Sequence, residues 1–425
     1  MSTQAPARTL PEWLAYIERQ HPKSIAMGLD RVREVAQRLG LGKPAKRVVT
    51  VAGTNGKGST VAFIEAIARA AGLRVAAYTS PHLLAYNERV RIDGHDADDA
   101  ALIDAFETVE AARAEVSLTY FEYGTLAALW LFQRAALDLA ILEVGLGGRL
   151  DAVNLVDADV AVITTVDLDH QDYLGDNREA IGAEKAGIAR AWTPLVIGED
   201  DPPSSVLGRA YAIGAATWRA NSDFFFERID RDRWRWREVG FAIDLPLPLL
   251  AAPAQLRNAA TAIAALRALD IAIADAALVA GVAGARIAGR LQRVERDGIA
   301  IVIDVGHNPQ AARELAAWLA ASPLAGRTFA VFAALGDKDI AGVVNAMQSG
   351  IDRWFIAGLT EAGARGIAVD AFAQRLAGTA AAAAERHADV DAALTAACDA
   401  ARAGDRILVF GSFHTAAAAL RALAT

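Results

Sequence analysis

The chain has 425 residues, of which 54% are hydrophobic and 22% charged, and its formal net charge is −8. This length and composition suit more than one domain with ample buried sheet, and they exclude extended disorder. The acidic balance, without a basic stripe, argues against nucleic acid and anionic membranes as partners. The single cysteine, Cys398, excludes an internal disulfide and a cysteine-based zinc site.

The N-terminal residues 1–10 lack the charged start and apolar run of a signal peptide. No apolar stretch in the sequence is long enough to cross a membrane. Because a lone cysteine also suits a reducing compartment, we predict a cytoplasmic protein.

The order of the predicted elements indicates an α/β fold. Apolar spacing predicts one helix over residues 11–39, followed by a strand over 47–53, a helix over 58–71 and a strand over 74–79. Together the last three form a βαβ unit. The alternation continues with a helix over 118–136, strands over 137–144 and 159–166, a helix over 177–190 and a strand over 195–198. Near-continuous apolar strands such as 137–144 are typical of parallel sheets covered on both faces.

Residues 224–250 break this alternation. Aromatic runs at 224–226 and 234–236 flank a predicted hairpin turn at 230–232, and cross-strand packing explains these aromatics best. After a helix over 253–269, a polar segment over 289–298 leads to further strands over 299–305, 329–335, 354–359 and 406–410. We therefore predict a P-loop-type, mostly parallel sheet domain with a small antiparallel excursion over 1–288, and a smaller Rossmann-like α/β domain over 289–425.

The strongest local signal is the segment 53–60 (GTNGKGST), which follows a strand and opens a helix. Its glycines let backbone amides turn toward an anion, and the helix N-terminus adds partial positive charge. Lys57 can then reach the outer phosphates of a nucleotide, and Ser59 or Thr60 can offer a hydroxyl near magnesium. A strict Walker A pattern is not met, since Val51 replaces its first glycine and Gly58 follows the lysine. The motif alone indicates ATP or GTP binding, and the guanine-reading motif of GTPases is missing from the sequence.

Polar residues follow three predicted strands. Ser80 follows the strand over 74–79, Glu143 lies at the end of strand 137–144, and His170 comes soon after strand 159–166. Since the carboxyl ends of parallel strands meet at one edge of a sheet, we expect these side chains to lie near Lys57. Taken singly, each is more often structural. Taken together beside a phosphate loop they predict a magnesium site, because magnesium prefers oxygen ligands and bridges phosphates.

These segments resemble, in this order along the chain, the folylpolyglutamate synthases of the Mur-ligase superfamily. The matching blocks are 51–60 (VAGTNGKGST), 79–82 (TSPH), 143–151 (EVGLGGRLD), 169–170 (DH), 184–188 (EKAGI), 304–309 (DVGHNP) and 411–414 (GSFH). They span nearly the whole chain. Gly306 departs from the pattern, since many members have alanine there.

The resemblance implies ATP bound between the two domains, two magnesium ions and a carbamate formed from CO2 on Lys185. It implies metal binding by Ser80, Glu143, His170 and the modified Lys185, and catalytic roles for Lys57, Lys185, His170 and Glu143. The residues that it implies in ATP binding are Thr54, Asn55, Gly56, Lys57, Gly58, Ser59, Thr60, Asn258, Arg290, Asp304 and His307.

Two further segments, 23–29 and 117–125, resemble the pterin-contacting parts of bifunctional bacterial members. The acceptor site that this implies comprises Met27, Gly28, Leu29, Thr119, Tyr120, Phe121, Glu122, Leu150, Asp151 and Ala152. The rings of Tyr120 and Phe121 offer flat apolar surface for a pterin, although core packing is the alternative role for both.

The activity that the resemblance implies is ATP-dependent ligation of L-glutamate to dihydropteroate, and to tetrahydrofolate and its polyglutamates, through an acyl phosphate. It also implies a monomer. Three alternatives stay open: a synthase that acts on folates alone, another Mur-type ligase acting on a cell-wall nucleotide precursor, and an ATP-binding module without chemistry. The second needs a uridine-nucleotide-binding N-terminal domain, for which a phosphate loop that begins at residue 53 leaves little room.

Overall fold

The computed structural model describes residues 8–23, 25–249, 252–347 and 349–424. The chain divides into two compact units, of which the first comprises Met1–Pro248 and Leu256–Ala285 and the second Leu249–Gln255 and Arg286–Thr425. Residues 1–7, on which the reasoning about a signal peptide depends, lie outside the described residues, as does Ser24 of the segment 23–29.

An eight-stranded sheet forms the centre of the first unit. Its strands are β1 (Arg47–Ala52), β2 (Val75–Tyr78), β3 (Val90–Ile92), β4 (His95–Asp96), β5 (Leu139–Glu143), β6 (Val160–Ile163), β7 (Pro194–Ile197) and β8 (Ala216–Arg219). Their order is β4-β3-β2-β5-β1-β6-β7-β8. The strands β2, β5, β1, β6, β7 and β8 run parallel, whereas β3 and β4 are added antiparallel at one edge. The phosphate loop therefore leaves a central strand, β1. Its neighbour β5 ends in Glu143, and the chain that follows its other neighbour, β6, leads to His170.

A three-stranded antiparallel sheet, β9 (Phe224–Arg228), β10 (Arg233–Glu238) and β11 (Phe241–Pro246), forms the predicted excursion. The side chains of Trp234 and Trp236 are fully buried, and the Trp236 indole stacks on Phe224 with ring centroids 6.1 Å apart. The indole N–H of Trp236 donates to the carbonyl of Ala260 at 3.1 Å. The aromatic residues of this segment thus pack across strands and against a helix, as predicted.

Helices cover the sheets of the first unit. They are α1 (Leu10–Glu18), α2 (Asp30–Arg38), α3 (Lys57–Ala70), α4 (Asp99–Arg113), α5 (Tyr120–Arg134), α6 (Gln171–Leu174), α7 (Arg178–Ala186), α8 (Ser204–Ile213), α9 (Ala254–Ala268) and α10 (Asp275–Gly284). Two short 3₁₀ helices span Tyr86–Arg89 and Ala152–Leu155.

The single helix predicted over 11–39 is wrong, because α1 ends at Glu18 and α2 begins at Asp30. Pro22 lies in the break, where a proline removes a backbone donor and disfavours helix in the residue before it. Gly28 has a φ of 146°, a conformation that a helix excludes. The helical spacing of Trp13, Leu14 and Ile17, on which the prediction rested, belongs to α1 alone and does not extend across this break.

The second unit contains a six-stranded sheet. Its strands are β12 (Gln292–Arg296), β13 (Ile299–Ile303), β14 (Thr328–Phe332), β15 (Arg353–Ala357), β16 (Glu385–His387) and β17 (Arg406–Phe410), in the order β12-β13-β17-β14-β15-β16. All neighbours are parallel except β12 and β13. The helices are α11 (Pro309–Ala321), α12 (Ile340–Met347), α13 (Val369–Gln374), α14 (Val390–Ala400) and α15 (Phe413–Ala424), with a 3₁₀ turn at Gly363–Arg365.

The predicted α/β fold class, with its mostly parallel first sheet and smaller second α/β unit, is confirmed. Strand β12 was missed, because it is a largely exposed edge strand whose polar residues carry no hydrophobic alternation. Within the described residues, no helix combines the length and the apolar character needed to cross a lipid bilayer.

Helix α10 packs closely against α3, the helix that begins at the phosphate loop. A Cβ atom added at Gly281 would lie 2.4 Å from the Cα atom of Ile67 and 2.6 Å from its amide nitrogen. Because these neighbours are backbone atoms, they cannot move aside as a flexible side chain would. Gly284, in the same helix, has no such neighbour within 4 Å.

We expect Gly281→Ala to lower the free energy of unfolding of the first unit by about 1–3 kcal/mol, because the added methyl group pushes α10 away from α3. Gly284→Ala is the matched control and is expected to leave stability unchanged or raise it by up to about 1 kcal/mol. Urea unfolding followed by far-UV circular dichroism measures both. Equal stability of the two variants would contradict the close contact.

Candidate active site

Two glycines of the phosphate loop lie so close to neighbouring side chains that a Cβ atom would not fit at either position. A Cβ atom at Gly53 would lie 1.8 Å from the hydroxyl oxygen of Thr164, and one at Gly56 would lie 2.5 Å from Oδ1 of Asn258. Gly56 also has a φ of 87°, in the left-handed region that favours glycine. Asn258, predicted to bind ATP, is buried and borders the loop directly.

Threonines at the end of β6 hold the backbone of the loop. The amide of Thr54 donates to the carbonyl of Thr165 at 2.8 Å, and the hydroxyl of Thr164 donates to the carbonyl of Asn55 at 2.6 Å. The Thr54 hydroxyl in turn accepts the amide of Asp167 at 3.0 Å. The loop that carries Lys57 is therefore tied to the segment that leads to His170.

Lys57 folds back over its own loop. Its ammonium group donates to the carbonyls of Gly53 and Thr54 at 3.0 and 3.2 Å. Ser59 and Thr60 lie in the first turn of α3 and are buried, and the Thr60 hydroxyl has no hydrogen-bond partner among the described residues. Backbone amides, a helix N-terminus and one lysine thus converge where an anion would bind.

Ser80 and Glu143 lie together at the carboxyl edge of the sheet. Strands β2 and β5 are parallel neighbours, and the amide of Ser80 donates to Oε2 of Glu143 at 3.4 Å. Glu143 is 4% exposed. The guanidinium of Arg91, which pairs with Glu65 of α3 at 2.8 Å, interacts electrostatically with this carboxylate. The backbone of Ser80 therefore lies beside the carboxylate with which it is expected to share a metal.

Lys185 is buried in the same region. Burial and, to a smaller extent, the positive charge of Lys57 lower its pKa, the carboxylates of Asp169 and Asp151 partly offset both effects, and the resulting pKa is about 7. A lysine that loses its charge near neutral pH is a nucleophilic amine rather than an inert cation. Its pairing with Glu184, the ordinary alternative for a helical lysine, is not seen, because Glu184 binds Arg149 instead.

The C-terminal end of α7 interlocks with the segment 148–154. Arg149 donates from its amide to the carbonyl of Glu184 at 2.9 Å and from its guanidinium to the Glu184 carboxylate at 2.8 Å. A Cβ atom at Gly187 would lie 2.3 Å from that of Arg149. Asn154 donates to the carbonyls of Arg149 and Gly187 at 3.0 and 3.2 Å. Lys185 and Asp151 are therefore carried on one rigid assembly.

His170 begins α6 with a left-handed backbone conformation, φ 51° and ψ 41°, which costs free energy for any residue with a side chain. Its amide donates to Oδ1 of Asp169 at 2.9 Å. Among the described residues no group of three histidine, cysteine, aspartate or glutamate side chains forms a ready metal cage. The donors present suit a site that is completed by phosphate oxygens, since magnesium is commonly held by one or two carboxylates plus substrate phosphates.

Part of the predicted acceptor site lies beside this cluster. The amide of Gly28 donates to the carbonyl of Leu150 at 3.4 Å, and the Met27 side chain would lie 3.5 Å from a Cβ atom at Gly147. A Cβ atom at Gly145 would lie 2.7 Å from the Phe121 ring. Burial raises the pKa of Asp151 to about 7, although its carboxylate accepts the amides of Leu146 and Val153.

Other members of the predicted acceptor set have structural partners. Thr119 and Glu122 form a reciprocal N-terminal cap of α5, with distances of 3.2 and 2.8 Å, and Glu122 also pairs with Arg31 at 2.9 Å. Leu29 and Ala152 are buried in the hydrophobic core. Tyr120 packs edge-on against Tyr86 at 5.9 Å. Sequence reasoning did not separate these roles, because a cap and a ligand contact use the same residue types.

Sequence reasoning also missed residues that shape the site. Asp169 was seen only as a neighbour of His170, yet its charge faces Lys185. Arg149, Glu184 and Asn154 form the interlock described above, and no local pattern marks them as partners across more than thirty positions of sequence.

Three predicted ATP-binding residues group at the end of β13 in the second unit. Asp304 is buried, which raises the pKa of its carboxyl, while Arg290 and His307 act on it electrostatically. Its oxygens accept the amides of Gly306 at 2.7 Å and Leu291 at 2.9 Å. The imidazole of His307 lies 3.0 Å from the carbonyl of Val305, and the Arg290 guanidinium lies over the Phe413 ring at 5.6 Å.

Each of the two units matches a known protein domain family. Residues 51–266 match the Mur ligase middle domain and residues 289–413 match the Mur ligase glutamate ligase domain. The dihydrofolate synthase/folylpolyglutamate synthase of Escherichia coli (strain K12) is 46% identical over 416 residues, covering 98% of this chain and 96% of that protein.

Solved structures of the same family superpose on nearly the whole chain. E. coli FolC in complex with DHPP and ADP superposes with a TM-score of 0.93 at 45% identity, covering 99% of each chain. A bifunctional folylpolyglutamate synthase/dihydrofolate synthase with Mn, AMPPNP and L-glutamate bound superposes with a TM-score of 0.91 at 44% identity, covering 100% of each chain. The chain therefore belongs to the dihydrofolate synthase/folylpolyglutamate synthase family of Mur ligases.

The lowered pKa of Lys185 predicts a pH-dependent stability. Its pKa is about 7 in the folded chain against an ordinary value of 10.5, so the unfolded chain binds more protons between these values and stability rises with pH there. This contribution is lost as pH falls through 7. We expect the free energy of unfolding, measured by urea titration in CO2-free buffer, to rise less steeply with pH in Lys185→Met than in the unmodified chain. Lys46→Met, at an exposed lysine, is the control and should keep the original slope.

Proposed function

We propose that the chain joins L-glutamate to dihydropteroate, and to tetrahydrofolate and its polyglutamates, at the expense of ATP. The observation that carries this proposal is the meeting of Lys57 and Lys185 with Asp151 and Asp169 at one edge of the sheet. An ATP-binding module without chemistry does not require a second, buried lysine that interacts with two carboxylates. The ligands named for the solved relatives, ADP, AMPPNP, Mn, DHPP and L-glutamate, support the same assignment.

The reaction proceeds in two steps. The acceptor carboxylate attacks the γ-phosphorus of ATP, the bond to ADP breaks, and an acyl phosphate forms. The uncharged amine of glutamate then attacks the acyl carbon, phosphate leaves with the bonding electrons, and the amine loses a proton. Phosphoryl transfer of this kind depends mainly on positioning and on neutralising charge, and Lys57 with the loop amides supplies both.

The residues that would hold magnesium are Ser80 and Glu143 for one ion, and His170 with a carbamate on Lys185 for the second. Bound ions would neutralise phosphate charge during transfer. The backbone of Ser80 lies against the Glu143 carboxylate, which supports this role. The carbamate follows from the chemistry of Lys185, because an amine with a pKa of about 7 reacts with CO2, releases one proton and becomes an anion. The modification would relieve the repulsion between Lys57 and Lys185.

The proposed ATP-binding set comprises the loop residues Thr54 to Thr60 and Asn258 in the first unit, and Arg290, Asp304 and His307 in the second. Support in the first unit is direct, since Asn258 borders Gly56. The proposed acceptor set is best supported for residues around the segment 145–151. Met27 and Phe121 border Gly147 and Gly145, Asp151 bonds to the backbone of this segment, and Gly28 donates to the carbonyl of Leu150.

Glutamate-dependent ADP release tests the proposal, with dihydropteroate and tetrahydrofolate supplied separately. We expect release with both acceptors, and Lys57→Ala to reduce turnover about 10²–10³-fold because one charged transition-state contact is lost. Release with tetrahydrofolate alone would reduce the function to a synthase that acts on folates. ADP release that does not depend on glutamate would indicate an ATPase module instead.

A carbamate on Lys185 predicts chemical rescue. Lys185→Ala removes the anion that the modification supplies, so turnover should fall and recover partly when a short carboxylate such as acetate is added. The control is Lys46→Ala, which should keep full turnover and show no response to acetate. Unmodified chain that keeps full activity after rigorous removal of CO2 and bicarbonate would rule out the carbamate.

A further inference from the structure

An ion pair between Glu65 and Arg91 lies on the side of the sheet that carries the proposed metal ligand Glu143. Glu65 belongs to α3, the helix that begins at the phosphate loop, and its side chain is 9% exposed. Arg91 belongs to β3, and its side chain is 22% exposed. The pair therefore joins the helix of the phosphate loop to the strand beside β2, which leads to Ser80.

Arg91 lies on the same face of the sheet as Glu143. Ala77 of β2 is paired with Arg91 on one side and with Ile141 of β5 on the other. Paired residues of neighbouring strands share a face, and so do residues two positions apart on one strand. Thr79 and Glu143, each two positions further along, therefore lie on the face that carries Arg91. The electrostatic interaction between Arg91 and Glu143 agrees with this placement.

Within the described residues, the guanidinium of Arg91 is engaged by Glu65, Thr79 and Glu88. Its Nε and Nη2 donate to Oε2 of Glu65 at 3.0 and 2.8 Å. Its Nη1 donates to the Thr79 hydroxyl at 3.3 Å and to the carbonyl of Glu88 at 3.1 Å. A guanidinium binds a carboxylate best through two N–H groups at once, and Glu65 takes the pair formed by Nε and Nη2.

The segment that follows β2 does not depend on Arg91 for its position. The Thr79 hydroxyl also donates to the Glu88 carbonyl at 3.2 Å, and the Thr79 amide donates to the carbonyl of Arg89 at 2.9 Å. Arg91 can therefore be exchanged without releasing this segment. Loss of the Glu65 charge alone, by contrast, leaves a largely buried cation without its counter-ion, which is strongly unfavourable.

The other carboxylates that act on Arg91 are Asp96 and Glu143. Asp96 lies opposite Arg91 on β4 and is exposed, whereas Glu143 is 4% exposed. Opposite charges attract each other more strongly where water is excluded, so without Glu65 the arginine would turn to Glu143. A guanidinium bound to this carboxylate competes with a metal ion, because both need the same oxygen atoms.

We propose that Glu65 is a positioning residue of the metal site, because its pairing with Arg91 keeps this cation off Glu143 and lets a divalent ion bind there. This inference rests on the proposed function, which assigns Glu143 to magnesium. Glu65 acts through Arg91 and is not itself a ligand of the ion. Since Glu65 lies about two turns after Lys57 on α3, the helix that presents the phosphate loop also keeps the metal ligand available.

The test measures how much Mn²⁺ strengthens the binding of AMPPNP. This gain is the ratio of the dissociation constants obtained by isothermal titration calorimetry in EDTA and in Mn²⁺, for the full-length chain, Glu65→Gln and the double variant Glu65→Gln/Arg91→Met. We expect Glu65→Gln to reduce the gain about 10-fold, because the ion must displace Arg91 from Glu143 and break a charge-assisted hydrogen bond. The dissociation constant in EDTA should stay nearly the same, since the phosphate loop is unchanged.

The double variant separates this role from a purely structural one. Once Arg91→Met has removed the competing cation, the gain should return nearly to that of the unmodified chain, whereas a structural defect caused by the loss of Glu65 would persist. Thermal melting checks the fold, and the double variant should melt no lower than Glu65→Gln because it leaves no unpaired arginine. Glu238→Gln is the matched control, since it breaks an ion pair of similar exposure, with Arg267, between β10 and α9. It should keep the full gain.

An unchanged gain in Glu65→Gln would overturn the inference, since Arg91 would then have turned to Asp96 or to water. A double variant with a gain as low as that of Glu65→Gln would also overturn it. Equal losses of affinity in EDTA and in Mn²⁺ would do the same, because they would indicate damage to the phosphate loop.

Failure of the proposed function is seen in the unmodified chain, before any variant is compared. If Mn²⁺ gives that chain no gain in AMPPNP affinity, the metal assignment fails and the inference falls with it. If the gain is present but ADP release does not depend on glutamate, the ligase assignment fails, and the variants still decide the role of Glu65.

Discussion

The closeness of two lysines, the buried Lys185 and the half-buried Lys57, at one edge of a parallel sheet is the constraint around which the first unit is organised. Lys57 is held by the carbonyls of its own loop, and Lys185 lies close enough for the two positive charges to repel. Burying Lys185 beside a second cation is unfavourable, and the cost is reduced by Asp151, by Asp169 and by the loss of the Lys185 proton near neutral pH. The arrangement still has an excess of positive charge, and the negative charge that it lacks would come from the bound ligands.

Rigid supports keep that arrangement in place. Threonines at the end of β6 fix the phosphate loop, and the Arg149–Glu184 pair with Asn154 fixes the end of α7. Sites built on packed strands and helices hold their groups more precisely than sites on free loops. The glycines at 53, 56, 148 and 187 are needed here because neighbouring atoms occupy the space that a Cβ would take.

Much of this could be predicted from the sequence, because the phosphate loop, the strand ends and the apolar strands are local patterns. The family blocks along the chain predict Lys57, Ser80, Glu143 and Lys185 in one site. What escaped prediction is non-local or ambiguous. The break between α1 and α2 depends on Pro22 and Gly28, and the Arg149–Glu184 pair joins residues 35 positions apart in the sequence.

The edges of the second sheet carry a further consequence. At one edge, β12 is largely exposed and carries Arg293, Glu295 and Arg296, with an ion pair between Arg293 and Glu295. At the other edge, β16 is only three residues long. Exposed strand edges invite pairing with strands of other molecules, and charge or brevity discourages it. The same polarity that concealed β12 from sequence-based prediction protects the unit against edge-to-edge aggregation at high concentration.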